Sequence, residues 1–282
     1  MSAVHHVKQS YWFSPHLPQI ECRSTWCSAQ GYKTHSHTQL SLGLVVAGNT
    51  VCHYRGKDHL LHAGDMVLID PHAPHSCTPL PGQTRSYHML YLDAVWCQAL
   101  LAQQSGLAVS ALHCRPVRVQ DPALFDDCLQ LLKTLYRHDI PSATPQLNAI
   151  VSTLLSRYCS PQQPMTEQPT TRYMRQRLLH NLQTSPSLTT LAQELHLRRE
   201  TLVRHFREDT GITPMAFLNN ARIEYAKTLI KQGVPLADAG YQSGFSDQSH
   251  FHKIFVLHTA ATPGQYQQAN ESFLTRSLFD NN

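Results

Sequence analysis

The 282-residue sequence carries little charge and contains no long apolar run. Only 15% of its residues are Asp, Glu, Lys or Arg, and the formal net charge is +4, too weak a bias to indicate a nucleic-acid partner by itself. The longest apolar stretches, such as Leu40 to Ala47, fall far short of the roughly 20 residues a membrane-spanning helix needs, so no membrane partner is expected. No apolar stretch follows a basic start in Met1 to Ser10, so no secretion signal is read and the cytoplasm is the expected compartment. Cysteine is absent after Cys159. None of the 8 cysteines (Cys22, Cys27, Cys52, Cys77, Cys97, Cys114, Cys128 and Cys159) belongs to a CxxC pair of the kind zinc ribbons use. In a cytoplasmic protein they are expected to be free, buried thiols rather than a disulfide framework. None sits beside an evident cationic cluster in the sequence, so thiol sensing is not favoured.

At 41% hydrophobic content the chain has material for two cores. From Leu40 to about Ala94, short apolar or alternating runs are cut by Gly48-Asn49, Arg55-Gly56, Ala63-Gly64-Asp65, Asp70-Pro71 and Pro79-Leu80-Pro81-Gly82, which predicts an antiparallel β-barrel or sandwich. The period then becomes helical. Leu124, Phe125, Cys128, Leu131, Leu132 and Leu135 form one stripe, and Leu147, Ile150, Val151, Leu154 and Leu155 another, available either to the domain's own core or to a dimer seam. Ser160 to Thr171, with three prolines and no apolar period, reads as a linker. The predicted organisation is a sensor and dimerisation domain over 1–159, a linker over 160–171 and an all-helical domain over 172–282.

The helical region repeats itself. Leu202, Phe206, Thr213-Pro214 and Phe217 recur 49 positions later as Phe251, Phe255, Thr262-Pro263 and Tyr266. Leu188, Leu191, Ala192 and Leu195 recur 48 positions later as Leu236, Ala239, Gly240 and Ser243, so the second copy has one extra residue in its turn. Each copy reads as a short helix, a tight turn and a second helix, which is helix-turn-helix geometry. Ser246 is read as the N-cap of the last helix. Thr213 caps a connecting helix that has Pro214 at its first position and Gly233 as its stop. That helix reaches Lys231 and is about 27 Å long at 1.5 Å per residue. It could hold two reading helices about one duplex turn, roughly 34 Å, apart. The competing reading is a helical bundle whose repeat is architectural.

The segments LAQELHLRRETLVRHFREDTGITPMAFLNNARIEYAKTLI and GFSDQSHFHKIFVLHTAATPGQY resemble the DNA-binding domain of the AraC/XylS regulators. The resemblance rests on L-x-R-x-F at Leu202 to Phe206, on Gly211 to Pro214, on Arg222 and Ala226, and on Gly244 to Phe251. It implies that the second helix of each copy reads bases in double-stranded DNA. The first would offer Arg199, Glu200, Val203 and Arg204, with Arg198 and Arg207 near phosphate. The second would offer Asp247, Gln248, Ser249, His250, His252 and Lys253. Arg204 suits a bidentate guanine contact and Gln248 an adenine, whereas Leu202, Phe206, Phe251 and Phe255 should be core. Arg198 stands where a capping Ser is usual, and Ala239, Gly240 and Ser243 replace more helix-favouring residues, so the second copy is expected to be looser.

The run from His35 to Ser76 resembles the cupin-like sensor domain of the same family through His35-x-His37, Gly48, Ala63-Gly64-Asp65 and Pro71 to His75. The implied fold is α+β and multidomain: a cupin-like antiparallel β-barrel with trailing helices, then two helix-turn-helix units. The barrel would hold a small-molecule effector with His35, His37, Tyr54, His75, Tyr87 or His88 on inward positions, and Tyr11, Trp12 and Phe13 could fold over its mouth as an arm. A metal-holding cupin would place a glutamate soon after the paired histidines, but Thr38, Gln39, Leu40 and Ser41 supply no carboxylate. No cofactor is required, although His35, His37 and His75 offer three imidazoles to Zn or Fe. No nucleophile, base and orienting group are recognisable, so an enzyme is not expected. The expected protein is a homodimeric, effector-responsive transcription regulator that could also touch RNA polymerase. The alternative is a cupin-type metalloenzyme with an appended DNA-binding tail.

Overall fold

The computed structural model describes residues 8–32, 34–162, 167–259 and 261–268, whose contacts divide into two units. The first holds the chain up to Gly31 and from Ser36 to the end of the β-rich region, and the second holds Tyr32–His35 and the helical C-terminal region.

The first unit contains β1 (Lys8–Phe13), β2 (Ile20–Ser28), β3 (Leu40–Ala47), β4 (Thr50–Tyr54), β5 (Lys57–Leu61), β6 (Met66–Ile69), β7 (His75–Pro79) and β8 (Arg85–Leu92). These are followed by α1 (Ala94–Ser105), β9 (Ala111–Cys114), β10 (Arg118–Val119), α2 (Pro122–Tyr136), α3 (Ile140–Tyr158) and β11 (Cys159–Gln162). Antiparallel pairing orders one sheet as β1-β2-β8-β3-β6-β10, a second as β5-β4-β7 and a third as β11-β9. The expected closed barrel is therefore replaced by open sheets. Tyr54, Cys52 and Leu61 of the three-stranded sheet pack against Val45, Val67 and Ile69 of the large one.

Side chains alternate across a strand, and the large sheet uses that alternation to face two different environments. Trp12, Ile20, Cys22, Leu40, Leu42, Leu44, Leu68, Leu90 and Leu92 enter one core with α1, α2 and α3. Both apolar stripes read from the sequence, including Leu131, Leu135, Val151 and Leu154, are buried in that core, so their residues close the domain rather than waiting for a second copy. Tyr11, Trp12 and Phe13 are not an arm. They belong to edge strand β1, paired in register with β2 from Lys8↔Trp26 to Phe13↔Glu21. Cys114 and Cys159, expected to be free, form a disulfide because β9 and β11 bring them face to face with their Cα atoms 4.1 Å apart. The same pairing makes the start of the predicted linker a strand, and its end is already the first turn of a helix.

The second unit consists of α4 (Pro169–His180), α5 (Leu188–Glu194), α6 (Arg199–Thr210), α7 (Pro214–Lys231), α8 (Leu236–Gln242) and α9 (Gln248–Thr259), with a further helical turn at 263–268. The duplication holds to the residue: α8 repeats α5 at an offset of 48 and α9 repeats α6 at 49, with the extra residue in the turn. It extends to the hydrogen bonds. Thr210 Oγ1 donates to the Phe206 carbonyl at 2.6 Å, and its repeat Thr259 Oγ1 donates to Phe255 at 2.8 Å. The second copy has helices of the same lengths as the first, so the expected looseness does not appear in its elements.

Thr213 accepts from the Ala216 amide as the predicted cap of α7, and Gly233, at φ +82°, ends it. The cap of α9 is corrected: Asp247, not Ser246, accepts the His250 amide at 2.7 Å. Gly240 lets α8 meet α9, since a Cβ there would lie 2.9 Å from the Phe251 ring. Gly244 has φ +90°, and a Cβ on it would lie 2.0 Å from the Leu182 carbonyl oxygen, which also accepts two bonds from Arg222. Its counterpart in the first copy, His196, adopts φ +52° in the same kind of turn. Gly244→Ala should therefore destabilise the second unit by about 2 kcal/mol or more, from left-handed strain plus the backbone clash. His196→Gly should cost less than about 1 kcal/mol. Thermal melts of the two variants check this difference.

Candidate functional site

The second helix of each repeat buries one face and exposes the other. Leu202 and Phe206 of α6, and Phe251 and Phe255 of α9, are buried as expected. Arg199, Glu200, Arg204 and Arg207 are exposed, and with half-buried Val203 they line a shallow groove along α6. On α9 and its cap, Asp247, Gln248, Ser249, His250, His252 and Lys253 are all exposed. Every residue expected to face nucleic acid is therefore at the surface or its edge. Among the described residues, Arg204 pairs with exposed Glu208, Nε to Oε1 3.9 Å. Such a pair contributes little and leaves the guanidinium available. Arg198 sits at the N-cap of α6 without a capping side-chain bond, so the first-turn amides have no protein side chain on them from that position. The Asp247 carboxylate, by contrast, is committed to the α9 backbone.

The polar face of the large sheet forms the interior of the first unit. Tyr11 on β1 stands opposite Arg23 on β2, and the Arg23 guanidinium lies over the rings of Tyr87 at 5.4 Å and Tyr91 at 6.0 Å. Arg85 covers Tyr87 at 5.1 Å and donates through Nη2 to the Cys77 carbonyl at 3.2 Å. Arg23 and Arg85 are buried, together with the carboxylate of Glu21. Burial pushes the Tyr11 phenol well above its usual range. The interior thus carries two guanidinium charges against one carboxylate, surrounded by tyrosine rings. This cationic lining was missed in the sequence because Ile20 to Ser28 was not read as a strand. Apolar Ile20 and Cys22 interleaved with Glu21, Arg23 and Thr25 are the period-two signal that would have revealed it.

The sequence-expected effector residues divide among different places. His37 and His75 face each other in the first unit with ring centroids 5.2 Å apart, and His37 meets Tyr91 at 4.9 Å. His75 donates from Nδ1 to the Ala73 carbonyl at 3.0 Å, and burial lowers its pKa to about 4. Tyr54 is buried among apolar side chains, and its hydroxyl accepts the Asp70 amide at 3.2 Å. Tyr87 lies in the polar interior. His88, its neighbour on β8, points to the opposite face, so it does not share the inward position expected for it. It bonds Ser24 Oγ at 2.8 Å and borders a separate cavity of about 280 Å³ with Trp26, Lys133 and Tyr136. His35 belongs to the second unit, its ring 6.3 Å from that of His258.

Residues 18–156 match the model of the AraC-like ligand binding domain, and residues 191–269 match a helix-turn-helix domain model. The chain is 24% identical over 260 residues to the Uncharacterized HTH-type transcriptional regulator YbfI of Bacillus subtilis, covering 84% of this chain and 86% of that protein. It is 32% identical over 85 residues to the HTH-type transcriptional activator RhaS of Escherichia coli, covering 30% of this chain and 31% of RhaS. Among solved structures, ToxT from Vibrio cholerae O395 is similar in fold with a TM-score of 0.54 at 13% identity, covering 93% of this chain and 97% of ToxT. Wild-type ToxT from strain SCE256 with bound unsaturated fatty acid has a TM-score of 0.55 at 14% identity, covering 95% and 97%.

The folded state holds His75 neutral, with its pKa near 4, below the value of about 6.5 in an unfolded chain. The stabilisation is fully present above pH 6.5 and is lost as pH falls from 6.5 toward 4, because the unfolded chain then binds the proton that the folded one refuses. The melting temperature of the protein should fall through this window, and His75→Gln should flatten that fall. Calorimetry at stepped pH measures both slopes.

Proposed function

The chain belongs to the AraC family of transcription regulators, and on that premise we propose that a small anionic effector held in its ligand-binding unit controls engagement of duplex DNA by α6 and α9. The observation that carries the DNA half is the duplicated pair of second helices, each apolar on its buried face and polar on its exposed one. Arg204 makes a bidentate contact to guanine O6 and N7, and Gln248 to adenine N6 and N7. Arg199, Glu200 and Val203, with Ser249, His250, His252 and Lys253, complete the two reading surfaces. Arg198 and Arg207 meet phosphate, and a phosphate oxygen takes the place of the missing cap at the α6 N-terminus. Asp247 orients α9 rather than meeting the anionic duplex directly.

Effector chemistry follows from the interior charge. Arg23 and Arg85 offer guanidinium forks suited to a carboxylate or phosphate, while Tyr11, Tyr87 and Tyr91 supply ring faces to its apolar part. The fatty acid in the ToxT structure is a ligand of this class. Regulation requires the effector to bind one DNA-binding state better than the other. The regulator works in the cytoplasm, pairs as a homodimer through surfaces other than the buried stripes of α2 and α3, and can contact RNA polymerase. No catalytic step is assigned to it.

A second reading keeps a divalent metal in the sensor. It is favoured by the orientation of His75, whose Nδ1 bond to a backbone carbonyl is the arrangement that presents Nε2 to Zn or Fe. His37, whose ring faces that of His75 at 5.2 Å, would be the second ligand. Elemental analysis of the purified protein separates the readings: stoichiometric metal supports this one, and its absence removes it.

Arg204→Ala should weaken operator binding by about 1 to 3 kcal/mol and relax preference at one base pair. Because Arg204 is exposed, stability should change by less than about 0.5 kcal/mol. Arg23→Gln should leave ligand-free DNA affinity unchanged while abolishing the response to a carboxylate effector. Fluorescence anisotropy on genomically selected duplexes reads both effects. Unchanged operator affinity in Arg204→Ala would remove the assignment of α6 to base reading.

A further inference from the structure

Cys52 on β4 and Cys77 on β7 are direct cross-strand partners. Two rungs along the same ladder, Thr50 faces Pro79. Proline has no N–H to give, so that rung cannot exchange the paired backbone bonds and is of the non-hydrogen-bonded kind. The alternation of an antiparallel ladder makes the Cys52–Cys77 rung the same kind, in which facing Cα atoms stand about 4.5 Å apart and side chains are closest. That separation is within the span a disulfide bridges without backbone movement. Both thiols are free, Cys52 fully buried and Cys77 half-buried.

The surroundings of the pair are unlike those of the other free thiols. Arg85 bonds the Cys77 carbonyl at 3.2 Å, which brings its charge beside the sulfur. Cys22, Cys97 and Cys128 are buried without such help, and burial raises all three. Cys77 is therefore the less buried thiol of the rung, with the Arg85 guanidinium bonded to its own carbonyl and fully buried Cys52 facing it.

We propose that Cys52 and Cys77 form a reversible disulfide site for hydroperoxides within the ligand-binding unit. The Cys77 thiolate attacks the O–O bond, forming Cys77 sulfenic acid and releasing water or an alcohol. The Cys52 sulfur then attacks the sulfenic sulfur, the S–S bond forms, the S–O bond breaks and water leaves. With hydrogen peroxide, two thiols and one peroxide give one disulfide and two waters. A thiol reductant reverses the bond by exchange. The sequence did not show this site, because the cations lie on β2 and β8 while the cysteines lie on β4 and β7. The site shares Arg85 with the proposed effector contacts, but it requires neither a bound effector nor the DNA contacts.

The test treats the purified full chain with graded hydrogen peroxide, quenches in acid, alkylates after denaturation and maps peptides without reduction. A Cys52–Cys77 linked peptide should appear, with loss of both thiols from alkylation, and dithiothreitol should restore them. Cys77→Ser should abolish the link, and Cys52→Ser should leave a Cys77 sulfenic acid that dimedone traps. Exposed Cys27 serves as the internal reference. Two outcomes overturn the proposal: exposed Cys27 consumed while Cys52 and Cys77 remain alkylated, or wild-type Cys77 advancing to sulfinic acid with Cys52 still reduced. Both are read on wild-type protein, so a variant that fails to fold does not blunt the test.

Discussion

Helix α7 is the constraint on which the DNA-reading half depends. It runs unbroken from Pro214 to Lys231 because Thr213 caps its start and Gly233 turns the chain at its end. Its Phe217 and Leu218 pack with Phe206 in the core of the first repeat. Farther along the helix, Arg222 holds the Leu182 carbonyl beside Gly244, and Lys227 lies over Tyr266, which itself packs on Phe255 of the second repeat. Both copies are thus seated on one rod about 27 Å long. The spacing of α6 and α9 is thus set by this backbone and not by any surface side chain.

In the first unit, a single sheet separates two environments through strand alternation. One face is apolar and is sealed by α1, α2 and α3. The other carries Glu21, Arg23, Tyr11, Tyr87 and Tyr91, and the three-stranded sheet packs on the same side. Buried guanidinium groups are costly unless bonded or paired. Arg85 meets this requirement through the Cys77 carbonyl, and Arg23 through Tyr11 and the tyrosine rings around it. The polar face held in this way is cationic, while the opposite face supplies the apolar core.

The repeat was readable in sequence to within a residue, since Leu202, Phe206, Phe251 and Phe255 are spaced by helical geometry that local contacts enforce. The core-facing residues followed from that spacing, while the positions on the exposed faces came from the resemblance to the AraC/XylS regulators. What escaped was non-local. Lys8 to Phe13 reveals itself as a strand only through pairing with β2, and the Cys114–Cys159 bridge exists only because β9 meets β11 across 45 residues. Helix α1 was also missed, although Asp93 accepting from Trp96 marks its start, because no apolar stripe runs along it. The assignment of His88 failed for a simpler reason: two adjacent strand residues, Tyr87 and His88, cannot both face inward.

The central claim is that one polypeptide presents two base-reading helices at a spacing set by α7. Methylation interference on a selected operator, carried out with wild-type protein and with Arg204→Ala and Gln248→Ala, tests it most directly. The account predicts two major-groove clusters about 10 base pairs apart on one face of the duplex, with the first variant losing one cluster and the second variant the other. A single cluster, or two clusters that neither substitution alters, would contradict it.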